Sequence, residues 1–295
     1  MELNKKLTIM VSSCDNYEDL WYPFFKMFDK YAGELKNCRI ILNTECKNYS
    51  YKKLDIKTFS FYNDIVPWGQ RFRKHLEQIS TEYVLVLLDD FFIRNDVNIE
   101  LIKKCLSYME NDCNIACFNF EPLDGADIES DDYKEFCSPR PRIDYQTNAQ
   151  AAIWRVKDLY NSMLDIESPW EWEIYGNIRN QYTIKNKFYF LNSKFARPID
   201  YGFNKEGMGV FRGQWVLDSV EHLFKENDIT IDYSIRGVYC KSKNDFKSSF
   251  LYKILFKLSY PFRKKKLDLI QANYIKQYEE KYKLLVAPYI GDDNE

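Results

Sequence analysis

YVLVLLDDFFI, residues 83–93, decides the fold. Its first six residues are apolar without alternation, the pattern of a strand buried on both faces, as in a parallel sheet covered by helices. Two adjacent carboxylates, Asp89 and Asp90, end the run before it turns apolar again at Phe91. A carboxylate pair so placed is either a strand end reaching water or a ligand site, because ligands of open parallel α/β sheets bind at the carboxyl ends of the strands.

The flanks repeat the buried-strand pattern. LTIMVSSC (7–14) and CRIILNTE (38–45) read as strands, and YEDLWYPFFKMFDKYAG between them has helical spacing through Leu20, Phe24, Met27, Phe28 and Tyr31, closed by Gly33. A third strand is expected at 56–61. WGQRFRKHLEQIS then gives a helix with Phe72, Leu76 and Ile79 on one face, and His75 is expected at the surface with its charged neighbours. A helix at 99–109 and a strand at 115–120 follow. This alternation predicts an α/β fold with a mostly parallel central sheet flanked by helices. Beyond it, 121–147 reads as a long loop, 149–154 as a strand, 156–164 as a helix, 187–192 as a strand and 213–224 as a helix.

With 295 residues, 45% of them hydrophobic, the chain can bury one large core. The expected division is a catalytic domain at 1–240 and a basic, amphipathic helical extension at 241–295. Between Lys241 and Lys266 nine basic residues face one acid, Asp245, while the whole chain carries a net charge of −2. That overall balance excludes a general nucleic-acid binder. The basic segment 246–266, with Phe246, Phe250, Ile254 and Leu258 near one face, suits a helix lying in a membrane interface. The eight cysteines contain no CxxC pair and the chain has two histidines, so a structural zinc site is not expected; the cysteines read as reduced, in a cytoplasmic protein. VSSC (11–14) imitates a lipoprotein box, but the apolar stretch before it is shorter than the about 7–15 residues of a signal peptide.

Three further stretches carry candidate chemistry. Asp15, just after the first strand, falls at the same sheet edge as Asp89 and Asp90 and can accept hydrogen bonds from a base or ribose. SPWEWEIYG (168–176) opens with a capping box, Ser168 as N-cap, Pro169 at N1 and Glu171 at N3, which gives Glu171 a structural role. Glu173 has no such role, and Trp170 and Trp172 stand beside it. YGFNKEGMGVFRGQW (201–215) holds four of the ten glycines with Lys205 and Arg212, and can act as a lid over a diphosphate. It lacks the Gly-Lys-Ser/Thr of a Walker loop.

A first strand ending near an Asp, a hydrophobic strand ended by Asp89-Asp90 and a later Trp/Glu-rich helix start resemble nucleotide-sugar glycosyltransferases of the GT-A fold, the kind that builds bacterial capsule, O-antigen and other surface polysaccharides. The resemblance spans roughly residues 5–235. It implies a Rossmann-like sheet and transfer of a sugar, from a UDP-linked donor, to a hydroxyl of a glycan or lipid-linked glycan at the inner face of the cytoplasmic membrane. It further implies that Asp15, Gln70, Arg71, Asp89, Asp90 and Arg212 hold the donor, that Asp90 ligates Mn²⁺ or Mg²⁺, that Glu171 or Glu173 is the general base of an inverting reaction, and that Trp170 and Trp172 stack the acceptor. The acidic motif departs from the family's Asp-x-Asp, because Phe91 stands two residues after Asp89 and Leu88 two before Asp90. A nucleotidyltransferase-like enzyme and a non-catalytic glycan-binding protein on the same fold remain as alternatives.

Overall fold

The computed structural model describes residues 2–60, 66–141, 143–202 and 208–240. The apolar runs become β1 (Leu7–Ser12), β2 (Ile40–Asn43), β3 (Ile56–Lys57), β4 (Tyr83–Leu88) and β5 (Ile115–Asn119), followed by β6 (Ile128–Glu129), β7 (Phe136–Ser138), β8 (Ala152–Arg155) and β9 (Lys187–Leu191). These nine strands form one sheet in the order β3-β2-β1-β4-β8-β5-β9-β7-β6. Seven point one way, and β7 and β8 run against them. The sheet is thus mostly parallel, as expected, with β1, β2 and β4 side by side so that the chain leaves all three at one edge.

Helices cover both faces. The period-2 alternation of β1 sends Leu7, Ile9 and Val11 to one side and Met10 to the other. The first side packs on α1 (Glu18–Tyr31) and α3 (Ile99–Asn111) through Phe24, Phe28, Ile102 and Leu106. The second packs on α2 (Trp68–Leu76) and α4 (Val156–Asn161) through Phe72, Leu76 and Leu159. Further on, α5 (Pro169–Glu171) runs through a π turn (Trp172–Gly176) into α6 (Asn177–Thr183), and α7 (Leu217–Glu226) follows. Among the described residues no helix is long and apolar enough to cross a membrane.

Several expectations are corrected. The third strand is two residues long rather than reaching 61. The stretch 121–147 is not all loop, since β6 and β7 extend the sheet. The expected helix at 213–224 begins only at Leu217; Gln214–Trp215 (β11) pairs with Val210–Phe211 (β10) in a hairpin whose turn residues, Arg212 and Gly213, both have positive φ. His75 is fully buried, not a surface residue. It lies three residues after Phe72 on the core face, its Nδ1 2.8 Å from the Arg71 carbonyl, and burial lowers its pKa to about 4. Lys205 and the segment 241–295, with its expected helical extension and membrane-facing 246–266, lie outside the described residues.

One contact governs how α2 is seated. The Gly69 N–H donates to the Glu167 carbonyl at 2.8 Å, and a β-carbon on Gly69 would stand 2.1 Å from the Leu164 carbonyl oxygen. Helix propensity alone favours alanine there by about 1 kcal/mol. Packing reverses the sign: Gly69→Ala is expected to destabilise by about 1–3 kcal/mol, lowering Tm in a thermal melt rather than raising it.

Candidate active site

The acidic pair sits where β4 ends. Asp89 is buried, and its Oδ2 accepts a hydrogen bond from Ser13 Oγ at 2.5 Å; that hydroxyl in turn accepts from the indole N–H of Trp21 at 2.7 Å. The Trp21–Ser13–Asp89 chain ties the end of β1 to the end of β4. Burial, then the neighbouring Asp90 charge, push the Asp89 carboxyl well up, against the Ser13 hydrogen bond. Asp90 is half-buried and is pushed up to about 7, chiefly by burial. Phe91 and Phe92 are apolar because they anchor this turn: Phe91 packs on Tyr201, and Phe92 on Trp215 and Phe224. The Gly209 N–H closes onto the Asp90 carbonyl at 2.6 Å, and a β-carbon on Gly209 would stand 2.2 Å from the Phe92 ring.

Next to this pair, the loops after β1 and β2 are locked together. Both carboxylate oxygens of Asp15 accept from the backbone N–H groups of Cys46 and Lys47, and Oδ1 also from Glu45. Arg71, buried in α2, pairs with Glu45 and donates to the Ser13 carbonyl at 3.1 Å. Asp15 and Arg71 therefore reach the expected edge but are engaged in shaping it. Gln70 is half-buried in the first turn of α2, its backbone N–H 2.9 Å from the Asp165 carbonyl. A residue the sequence reading passed over, Asn43, is fully buried at the end of β2, and neither its amide oxygen nor its nitrogen finds a hydrogen-bond partner among the described residues. Buried polar groups are ordinarily satisfied, so the Asn43 amide is an exception, an unsatisfied polar group closed off from solvent behind this edge. Its signal was available: a polar residue ending a buried strand, as Asp89 does.

The other carboxylates separate cleanly. Glu171 completes the capping box, its Oε2 accepting from the Ser168 N–H at 2.9 Å while Ser168 Oγ accepts from the Glu171 N–H at 3.2 Å. Glu173 lies in the π turn, and its Oε1 accepts from the Ala149 N–H at 2.8 Å. Burial raises its pKa, opposed by that hydrogen bond. Ala149 precedes β8, whose Ala152 pairs with Val86 of β4, so Glu173 is held at the sheet edge that carries Asp89 and Asp90. π turns recur at functional sites. Trp170 is 71% exposed beside it, free to offer a ring face. Trp172 is corrected: it is 2% exposed, packed between Trp68 and Trp154, with its N–H on the Ser162 carbonyl and hydroxyl at 3.1 Å, so it belongs to the core and not to an acceptor platform.

Two arginines complete the surroundings. Arg212, exposed at the hairpin tip, lies over the Phe211 ring at 5.2 Å, and no hydrogen bond or ion pair among the described residues joins it to the acidic pair. Arg236, which lay in a stretch with no periodic pattern, returns across α1: it pairs with Asp19, donates to the Asn16 carbonyl at 2.8 Å and lies 4.5 Å from the centre of the Tyr17 ring. Its charge favours ionisation of both Asp89 and Asp90. No group of three or more His, Cys, Asp and Glu residues that could hold a metal ion occurs among the described residues. The pair nonetheless fits Mg²⁺ or Mn²⁺ of the kind that takes one or two carboxylates and completes its shell with water and substrate phosphates, and a cation there would favour the charged forms that burial disfavours at both aspartates and that the Asp90 charge further disfavours at Asp89.

A carboxyl whose folded pKa lies above its unfolded value stabilises the fold fully below the unfolded pKa, and that contribution is lost as pH rises through the folded pKa. For Asp90 the window runs from 3.8 to about 7. His75, shifted the other way, opposes it in part of this range. The difference between Asp90→Asn and wild type removes the His75 contribution and reports Asp90 together with its charge on Asp89: in thermal melts the variant's Tm advantage is expected to be small near the bottom of that window and greatest above its top.

Comparison with known proteins finds no matching family model and no matching curated sequence. Among solved structures the chain is similar to Staphylococcus aureus TarS 1–349 (TM-score 0.45, 16% identity), over 64% of this chain and 58% of that one, less than two thirds of its length. The same protein has been solved with UDP-GlcNAc. It is also similar to the mannosyltransferase PcManGT from Pyrobaculum calidifontis in complex with GDP-Man and Mn²⁺ (TM-score 0.43, 6% identity, covering 62% and 53% of the two chains). An active-site mutant of LgtC aligns over 86% of this chain and 95% of its own, at TM-score 0.39 and 12% identity. At these values the functional reading rests on the site's own geometry.

Proposed function

We propose that this chain is a nucleotide-sugar glycosyltransferase that inverts the anomeric centre, with Glu173 as general base. The observation that carries the reading is the gathering, at one sheet edge, of a buried acidic pair at the end of β4 and a half-buried carboxylate of raised basicity, Glu173, fastened to the strand start next to it. The wall formed by Asp15, Glu45 and Arg71 suits a nucleobase and ribose, and the donor's nucleotide is taken as UDP. Asp90, with Asp89 behind it, would hold a divalent cation; when bound, that ion supplies charge neutralisation at the diphosphate.

In this reading an acceptor hydroxyl, lying on Trp170, attacks the anomeric carbon from the side opposite the diphosphate. Its oxygen forms the new glycosidic bond, its proton passes to the free oxygen of Glu173, and the bond to the diphosphate oxygen breaks, releasing the nucleoside diphosphate. The transition state is oxocarbenium-like. Burial of Glu173 makes it the stronger base. The acceptor is taken as a glycan or lipid-linked glycan of a bacterial surface polysaccharide, met at the inner face of the cytoplasmic membrane.

Product analysis tests the reading. Incubation with UDP-, GDP- and CDP-sugars is expected to release nucleoside diphosphate; release of pyrophosphate from a nucleoside triphosphate and a sugar phosphate would instead identify a nucleotidyltransferase. Glu173→Gln is expected to lower turnover by about 10²–10⁴-fold. Glu171→Gln is expected to keep turnover and, since a glutamine oxygen still accepts the Ser168 N–H, to cost only the about 0.3–1 kcal/mol of a lost charge at a helix start. If Glu173→Gln turns over at the wild-type rate, the base assignment is wrong.

A further inference from the structure

The π turn that carries Glu173 is braced from beneath by a buried ion pair. Glu167 is fully buried, and its two carboxylate oxygens take the Arg179 guanidinium at 2.5 and 3.0 Å. Oε2 also accepts the Leu164 N–H at 2.7 Å, so the carboxylate closes its own loop, 162–168. On the other side, Arg179 donates to the Ser162 carbonyl at 2.6 Å, an oxygen that also receives the Asn180 amide at 3.0 Å and the Trp172 indole at 3.1 Å. Three side chains of one helical segment thus converge on one carbonyl, fixing the segment on both sides of Glu173.

The same loop reaches the nucleotide side. Its Glu167 and Asp165 carbonyls accept the N–H groups of Gly69 and Gln70, in the first turn of α2, one residue before Arg71. Gly176, which ends the π turn, admits no side chain: a β-carbon there would stand 2.9 Å from Trp172 Cδ1 and 3.2 Å from the Arg179 guanidinium. Meanwhile α6 pins the strip that faces Glu173, since Asn177 accepts from the Thr147 N–H at 3.0 Å and Asn180 donates to the Thr147 hydroxyl at 3.2 Å, two residues before Ala149.

A buried pair is a poor source of net stability, because desolvation of both charges offsets their attraction, and apolar replacements of like volume are often neutral. Its retained value is specificity of arrangement, and here the arrangement it specifies is the aim of Glu173. We propose that Glu167 and Arg179 are positioning residues: they hold the π turn in register with the first turn of α2, so that Glu173 stays against Ala149 and faces the edge where the nucleotide lies. The inference rests on Glu173 as general base for its functional consequence, and on geometry alone for its structural one.

The test reads the two separately. In the full chain, the Glu173 carboxyl is titrated by NMR of ¹³C-labelled glutamate, its signal assigned by its loss in Glu173→Gln. Arg179→Lys keeps the charge and loses the fork; Glu167→Met with Arg179→Met replaces the pair by apolar chains. For whichever variants retain the wild-type far-UV signature, the Glu173 midpoint is expected to move by about half a pH unit or more. Nucleotide-sugar turnover is expected to fall about tenfold or more, with the acid limb of its pH profile moving alongside the midpoint and donor KM changing less. Gly176→Ala, which keeps both charges but presses its methyl on Trp172 and the Arg179 guanidinium, is expected to reproduce both effects. An unchanged midpoint in a folded variant overturns the positioning role whatever Glu173 does. A shifted midpoint with turnover as in wild type, or turnover surviving in Glu173→Gln, leaves the brace standing and removes the base. Loss of fold in all three variants would assign the pair to stability and overturn the proposal.

Discussion

The hydrogen bond from Ser13 to the buried carboxylate of Asp89 is the constraint on which the arrangement depends. It joins the ends of β1 and β4, neighbouring parallel strands of the sheet, and it is itself fixed by the Trp21 indole from α1. A carboxylate in so dry a place is tolerated only with partners, and Asp89 has Asp90 beside it as a repelling neighbour. The fold therefore keeps two groups at the end of β4 whose ionisation it disfavours. Groups so shifted are candidates for ligand contact, kept at the expense of the stability a neutral pair would bring.

From that point the site assembles by ordinary packing. Phe91 and Phe92 fasten the turn after the acids to Tyr201 and Trp215, so the hairpin that follows is held close while its tip projects outward. Asp15, Glu45 and Arg71 weld the next two loops into one wall. Across the edge, loop 162–168 bears on α2 with its carbonyls and on the π turn through a buried ion pair, so the wall that includes Arg71 and the turn that carries Glu173 are held by one short piece of chain.

Much of this was legible in the chain itself, for a physical reason. Strands buried on both faces need continuous apolar residues, so β1, β2, β4 and β5 announce themselves, and the capping box at Ser168 marks a helix start by local chemistry alone. Two-residue strands such as β6 carry too few residues for a period. Residues 213–215, the second half of the hairpin, read as the start of a helix because Trp215 falls in step with the apolar face of α7, although Arg212-Gly213 is a turn pair once positive φ is considered. His75 was hidden by its charged neighbours, yet its spacing from Phe72 placed it inside. The capping box marks Glu171 as structural from sequence alone, but what holds Glu173 shows only in three dimensions, since the hydrogen bond from Ala149 joins groups far apart in sequence. Trp170 and Trp172 are two residues apart and differ wholly in exposure, a distinction that the curvature of the helix start makes and composition cannot.

The account stands on the edge of β1, β2 and β4 being a nucleoside-diphosphate site in which Asp90 takes part. Isothermal titration of UDP, GDP and CDP into the full chain, with and without Mn²⁺, tests this most directly. The account predicts one-to-one binding of at least one of the three, tightened by Mn²⁺, with the Mn²⁺ effect lost in Asp90→Asn. Absence of binding by all three under both conditions, or an Asp90→Asn variant that binds with the full Mn²⁺ effect, would contradict it.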